Sequence, residues 1–228
     1  MTRRKYIKLI FGMVLCLLVS MNQVSAQTSA GQVILVKGDA TLLHAGNSKD
    51  LKRGMKIYSS DLITTGPHTR VVLKMRDDTR FTLSSNTDFL INKYQFSAER
   101  QEGSISVELF KGAMRTITGL IGKTPNKDLK VITRNASIGI RGTDFWVGWI
   151  FSKNLDVALF DGDSIYVENN AGRVVINQPG FGTTVKSPDI PPATPREWGP
   201  GKYNAALRSI STKGDINDDE PIDDEEEY

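Results

Sequence analysis

Between Gly31 and about Lys186, apolar and polar residues alternate with a period of two. Val71, Leu73 and Met75 share one parity, with Arg70 and Lys74 on the other. Phe81 and Leu83 alternate with Arg80 and Thr82, and Ile105, Val107 and Leu109 alternate with Ser104, Ser106 and Glu108. Val157 with Leu159, and Ile165 with Val167, continue the pattern. Successive side chains of a strand point to opposite faces, so each run predicts a half-buried strand. Lys37-Gly38-Asp39, Arg76-Asp77-Asp78, Asp161-Gly162-Asp163 and Asn169-Asn170-Ala171-Gly172 carry residues that tolerate positive φ or bond their own backbone. The segments 76–79 and 169–172 each lie between two alternating runs and read as hairpin turns. No helical stripe interrupts residues 31–186, which predicts an all-β module: a sandwich, a barrel or a β-solenoid.

The composition changes at both ends. Arg3, Arg4, Lys5 and Lys8 precede an apolar run from Leu9 to Met21, and small residues follow at Val24 and Ala26. This is the layout of a secretory signal peptide over residues 1–26, cut between Ala26 and Gln27. The run is shorter than the roughly 20 residues a spanning helix needs, so no membrane span is expected after cleavage. Cys16 does not make a lipidation site, because Leu15 stands where a small residue is needed and apolar residues follow. The basic start also resembles a twin-arginine signal, which leaves the export route open. Beyond the β domain (27–187), five prolines from Pro188 to Pro200 predict an extended strap over 188–213, with a short helix within Tyr203 to Ile210. Residues 214–228 are too acidic and too poor in apolar side chains to fold alone, and are expected to be disordered.

Removing residues 1–26 leaves 202 residues and no cysteine, so stability must come from a core. The 29 basic residues fall to 25 against 26 acids, a net −1. Nine of those acids, and no base, lie in 214–228, so residues 27–213 carry +8. A basic body with an acidic tail is the charge map. It lacks the concentrated basic run of a nucleic-acid binder. An acidic glycan or lipid headgroup suits it better.

No catalytic set is apparent. His44 and His68 have no ligand spacing around them, and Gly38-Asp39 lacks the helix a phosphate loop requires. Paired acids abound only in the tail, where mobile carboxylates cannot hold acid–base geometry. Asp215, Asn217, Asp219 and Asp223 offer oxygens to calcium without the glycine and glutamate spacing of an EF-hand. No metal or cofactor is expected. Two roles remain open for the tail: a solubilising segment, or an electrostatic competitor for an acidic ligand. Phe145, Val147, Trp149 and Phe151 share one parity and are expected to form a core face. Trp146 has the other parity; with Trp198 it is a candidate for stacking on a sugar or a partner.

The order of several segments resembles the FecR domain, the periplasmic sensing module of iron-uptake regulators. Gly31 to Ala40 is similar to its first strands, and Leu51 to Gly54 followed by Ser60-Asp61-Leu62-Ile63-Thr64-Thr65-Gly66 to its "Asp-x-Ile-x-Thr-Gly" segment. Val71 to Leu83 resembles the strand–turn–strand that follows. Val131 to Phe145 resembles the signature "Thr-Pro-x-Ala-x-Ile-Gly-Ile-Arg-Gly-Thr-x-Phe", with Arg134 in place of proline. The similarity spans Gly31 to Lys186. It implies a FecR-like β-solenoid or compressed β-sandwich, and gives Gly139, Arg141, Gly142, Thr143 and Phe145 a structural role in the family motif. Arg141 is expected to bond nearby carbonyls or an acid such as Asp144, with binding as the alternative.

Only eight residues precede the apolar run, so the anti-sigma segment of the iron regulators is not expected here. Neither is their transporter-contacting C-terminal segment recognisable. The resulting expectation is a non-catalytic binding or scaffold protein of the Gram-negative periplasm or outer envelope. Its partner would be another envelope protein, in signal perception. The alternatives are a module for an anionic envelope glycan, and an accessory of a sigma-factor and transporter system.

Overall fold

The computed structural model describes residues 28–100, 102–123 and 128–212, with the backbone alone at Arg141. The Ala26/Gln27 cleavage point and the acidic tail lie outside the described residues. The chain runs through β1 (Gly31–Lys37), β2 (Ala40–His44), β3 (Asn47–Asp50), β4 (Lys56–Ile57), β5 (Leu62–Thr65), β6 (Arg70–Met75), β7 (Arg80–Leu83) and β8 (Asp88–Ser97). There follow β9 (Glu102–Lys111), β10 (Ala113–Ile117), a 3-10 turn (Ile121–Lys123), β11 (Asp128–Thr133), β12 (Ser137–Gly148) and β13 (Leu155–Asn169). The chain continues with β14 (Gly172–Ile176), β15 (Phe181–Val185), β16 (Arg196–Glu197) and α1 (Pro200–Ile210). The turns expected at 76–79 and 169–172 join β6 to β7 and β13 to β14.

All sixteen strands belong to one sheet, in the order β3-β2-β5-β8-β9-β11-β12-β10-β7-β6-β1-β4, with β13 to β16 branching from β12. The ladders are antiparallel except β9 with β11. Four strands separate β8 from β7 in the hydrogen-bonded order, yet the rings of Phe89 and Phe81 lie 5.2 Å apart. The sheet therefore curls over its own apolar face. The expected all-β class holds, and one face of this single sheet encloses the core. Ile63, Leu73, Phe81, Phe89, Val107 and Phe145 are fully buried in that single core, each from a different strand.

A second, smaller core sits on the opposite face of β10, β12 and β13. Ala113, Trp146, Ala158 and Phe160 are covered there by Trp198, Ala206 and Ile210. Pro200 in the first turn suits a helix start, since its missing N–H has no partner there anyway. The helix thus begins three residues before the Tyr203 expected from sequence. The proline-rich strap is held along its length. Asn169 Nδ2 donates to the carbonyls of Ser187 (3.0 Å) and Ile190 (2.6 Å), Ala193 N–H donates to Thr184 O (3.1 Å), and β16 pairs with β15. Among the described residues no helix is long and apolar enough to cross a membrane.

Candidate functional site

Strand β12 carries the motif read from sequence, and each described part of it supports the backbone or the core. Gly139 leaves room for the ring of Tyr166 on β13; a Cβ there would fall 2.0 Å from Tyr166 Cζ. Gly142 adopts a φ of +65°, and Gly162, opposite Thr143 with a φ of +95°, lies so close that a Cβ there would fall 2.5 Å from Gly142 O. The Thr143 N–H donates to Thr118 Oγ1 (2.8 Å), which donates in turn to Thr143 O (3.1 Å). Phe145 is fully buried. Arg141 stands opposite Ser164 in the ladder, and its side chain lies outside the described residues. The Asp144 carboxylate accepts from Arg115, through Nε at 2.7 Å and through Nη2. That contact holds the Arg115 proton more firmly than usual, chiefly through its hydrogen bonds to Asp144.

The two tryptophans expected as stacking surfaces are both buried. Trp146 is 0% exposed and Trp198 is 7% exposed. Their rings meet edge to face at 5.9 Å, and Phe151 packs against both at 5.5 and 5.8 Å. Trp146 does have the opposite parity to Phe145, but α1 covers the face to which it points. Phe151 also departs from expectation. The strand ends at Gly148, and the loop that follows carries Phe151 round to the Trp146 side, while Trp149 stays against the main core. With these rings enclosed, no aromatic platform at Trp146 or Trp198 is open to a sugar.

The helix is fastened to this cluster by charge as well as by apolar contact. Lys202 Nζ lies 2.5 Å from Asp156 Oδ1, above the rings of Trp198 (4.3 Å) and Phe151 (5.2 Å). Asp156 is 2% exposed, and a buried carboxylate needs such a partner. Two further buried acids, Asp61 of the family segment and Asp77 of the 76–79 turn, were read from sequence without an anchoring role. Asp61 accepts from Tyr58 N–H (2.8 Å) and sits 2.5 Å from His44 Nδ1. Asp77 gathers Thr79 Oγ1 (2.6 Å), Tyr94 Oη (3.2 Å) and the Ile121 N–H (3.3 Å). These acids tie loops together, and no group of three or more His, Cys, Asp or Glu among the described residues is placed to hold a metal ion.

The strand register defines two outward surfaces among the described residues. Leu43 of β2 pairs with Leu62 of β5, which pairs with Leu90 of β8, Glu108 of β9 and Ile132 of β11 in turn. The inward neighbours Leu42, Ile63, Phe89 and Val107 are buried, so this row faces out. Leu43 is 40% and nearby Phe110 is 43% exposed. Packing on the outer face by α1 falls on β10 instead. The second surface lies across the other end of the sheet. There Lys56 of β4, Gln32 of β1, Lys74 of β6 and Arg80 of β7 stand in one cross-strand row.

Residues 61–163 match the family model described as FecR protein, a narrower span than the 31–186 over which the resemblance was read. Two crystal structures of chains from Parabacteroides distasonis, each titled a "putative anti-sigma factor", share the fold. One is 17% identical with a TM-score of 0.51, covering 64% of this chain and 63% of its own. The other is 17% identical with a TM-score of 0.50, covering 64% of each chain. This chain therefore spans just under two thirds of the length of those solved proteins. No curated protein matches the sequence.

Proposed function

We propose, from the premise that residues 61–163 form a FecR domain, that the chain is a non-catalytic binding component of envelope signalling in a Gram-negative bacterium. Its partner is another envelope protein. The observation that carries this reading is the outward row Leu43, Leu62, Leu90, Glu108 and Ile132, in which Leu43 is exposed and Leu62, Leu90 and Ile132 are half-buried, bordered by exposed Phe110. Neighbouring outward leucines on a sheet face lose stability to water unless something covers them, and contiguous exposed apolar patches mark interaction surfaces. The glycan alternative keeps the basic body as its support, while the two tryptophans that also suggested it are enclosed.

Photo-crosslinking in cells tests the reading. A benzophenone side chain at position 62 or 90 is expected to capture one saturable envelope protein, with Leu43→Asp abolishing the capture. A probe at exposed Val175, on β14, serves as the control and should capture nothing specific. Equal capture at all three positions would sink the proposed surface. Recovery of the protein in the cytosolic fraction with residues 1–26 intact would sink the location.

A further inference from the structure

We propose that the protein covering the leucine row inserts a lysine or arginine into an acid-lined hollow beside it, an inference resting on the reading of that row as an interface. Two residues along each strand from Leu43, Leu62 and Leu90 stand Thr41, Thr64 and Asp88, on the same outward face. Asp50 of β3, opposite Thr41, ends this second row. The inward neighbours Leu42, Ile63 and Phe89 are buried, so both rows point outward side by side. A hollow of about 410 Å³ opens at the β3 end, lined by Asp39, Thr41, Asp50 and Thr64 with Leu51.

The occupant follows from charge and placement. Lys111 Nζ answers Asp88 at 3.0 Å, but no ion pair among the described residues engages Asp39 or Asp50, and both are exposed. Each is presented by a fixed backbone. Asp39 N–H donates to Thr69 Oγ1 (3.0 Å) and its carbonyl accepts from Gly66 N–H (2.8 Å), while Asp50 lies in the β2–β3 ladder. Two carboxylates held at one hollow attract a cation and repel an anion. Residues 27–213 carry +8 as a whole, so this acidic border is a local arrangement. On the other side of the leucine row Ser106 stands between Lys93 and Lys130, so the apolar stripe separates an acidic border from a basic one. A lysine or arginine suits such an edge, because its methylene stem covers leucine while its charged head reaches the carboxylates. The polarity also fixes which way round the partner lies.

The test has one arm in solution and one in cells. A synthetic peptide of four Leu-Arg repeats, titrated into the purified protein, is expected to shift the backbone amides of Asp39, Thr41, Asp50 and Thr64. The dissociation constant read from those amides should rise about 3- to 10-fold in Asp39→Asn with Asp50→Asn, whose urea unfolding should match the parent's. In cells, Asp39→Lys with Asp50→Lys should abolish photo-capture from position 62. An unchanged dissociation constant in the Asn variant would overturn the proposal. Undiminished capture by the charge-reversed variant would overturn it too, and would leave the leucine surface standing. No capture from position 62 in the parent would remove the surface and the inserted cation together. Spermidine that binds through Asp39 and Asp50, while capture is indifferent to them, would overturn it in favour of a free polyamine in the hollow.

Discussion

The indole N–H of Trp146 donates to Ser209 Oγ at 3.0 Å, joining the middle of β12 to the last turn of a helix 63 positions further along the chain. Ser209 in turn donates to Ala206 O at 2.7 Å, so the hydroxyl is satisfied on both sides. This contact makes the centre of the sheet three-layered. Phe145 enters the main core and Trp146 enters the second, so both faces of β12 are buried at that point. The same holds on β13, where Val157 and Leu159 face one core while Ala158 and Phe160 face the other.

Trp146→Ala should therefore act as a core deletion. It removes the largest fully buried side chain and leaves Phe151 and Trp198 without their common neighbour. The expected loss is about 3–5 kcal/mol in urea unfolding. Trp146→Phe, which keeps most of the ring volume, should lose markedly less. A surface-like change below about 0.5 kcal/mol for Trp146→Ala would contradict the enclosed position.

The Asp156–Lys202 pair should show strong coupling. Lys202→Met leaves a carboxylate that is 2% exposed without its ammonium, and Lys202 itself is partly open to water, so a loss of about 2–3 kcal/mol is expected. Asp156→Asn in the same chain removes the stranded charge and should recover much of the loss. A double-mutant cycle measures this, with an interaction energy of about 1–2 kcal/mol expected. Additive losses would show that the two groups act independently.

Period-two alternation was enough to place β6, β7, β9 and both hairpin turns, because each local run buries one face and exposes the other. It failed where a distant segment supplies a second layer. Trp146, next to the inward Phe145, has the parity of an outward side chain, and only the arrival of α1 turns that face into an interior. Nothing in the local pattern around Trp146 announces a helix at residues 200–210. The family motif was legible as glycines and a threonine in fixed order. The anchoring roles of Asp61, Asp77 and Asp156 were not, because each depends on partners from other elements: Asp61 on His44, Asp77 on Tyr94 and Ile121, Asp156 on Lys202. The outward leucine row was hidden for a related reason. Each strand shows only one of its members, and register alone brings them side by side.

Gly119→Ala should be among the most damaging single-methyl additions. A Cβ at Gly119 would lie 1.9 Å from Asp77 O and 2.4 Å from Thr79 N, backbone atoms that cannot step aside. The same crossing holds the hydrogen bonds from Gly119 N–H to Thr79 Oγ1 (3.0 Å) and from Leu120 N–H to Asp77 O (2.7 Å). A loss of about 3 kcal/mol or more is expected. Gly201→Ala in α1 meets nothing within 4 Å and should be neutral or stabilise by up to about 1 kcal/mol. Paired urea titrations decide the matter, and equal effects at the two sites would contradict the close crossing.

Tyr94 makes an alkaline limit of stability. Its phenol accepts from the Asp77 N–H (2.9 Å) and donates to Asp77 Oδ1 (3.2 Å), in a site where the side chain is 9% exposed. Burial, and then the charge of Asp77, push its ionisation well above the ordinary tyrosine value. The folded protein thus holds this proton more tightly than the unfolded chain does. The resulting stabilisation is complete below about pH 10, the value for an unperturbed tyrosine, and is lost as pH climbs from there towards the raised folded value. Tyr94→Phe removes the titration along with the two hydrogen bonds, and should cost about 1–3 kcal/mol at pH 8. Because only the parent protein loses stability through this group, the gap between parent and variant should narrow between about pH 10 and 11.5. Urea unfolding across that range measures the gap. A constant difference from about pH 8 to 11.5 would mean that the phenol ionises no differently in the folded protein, and that its contact with Asp77 contributes packing alone.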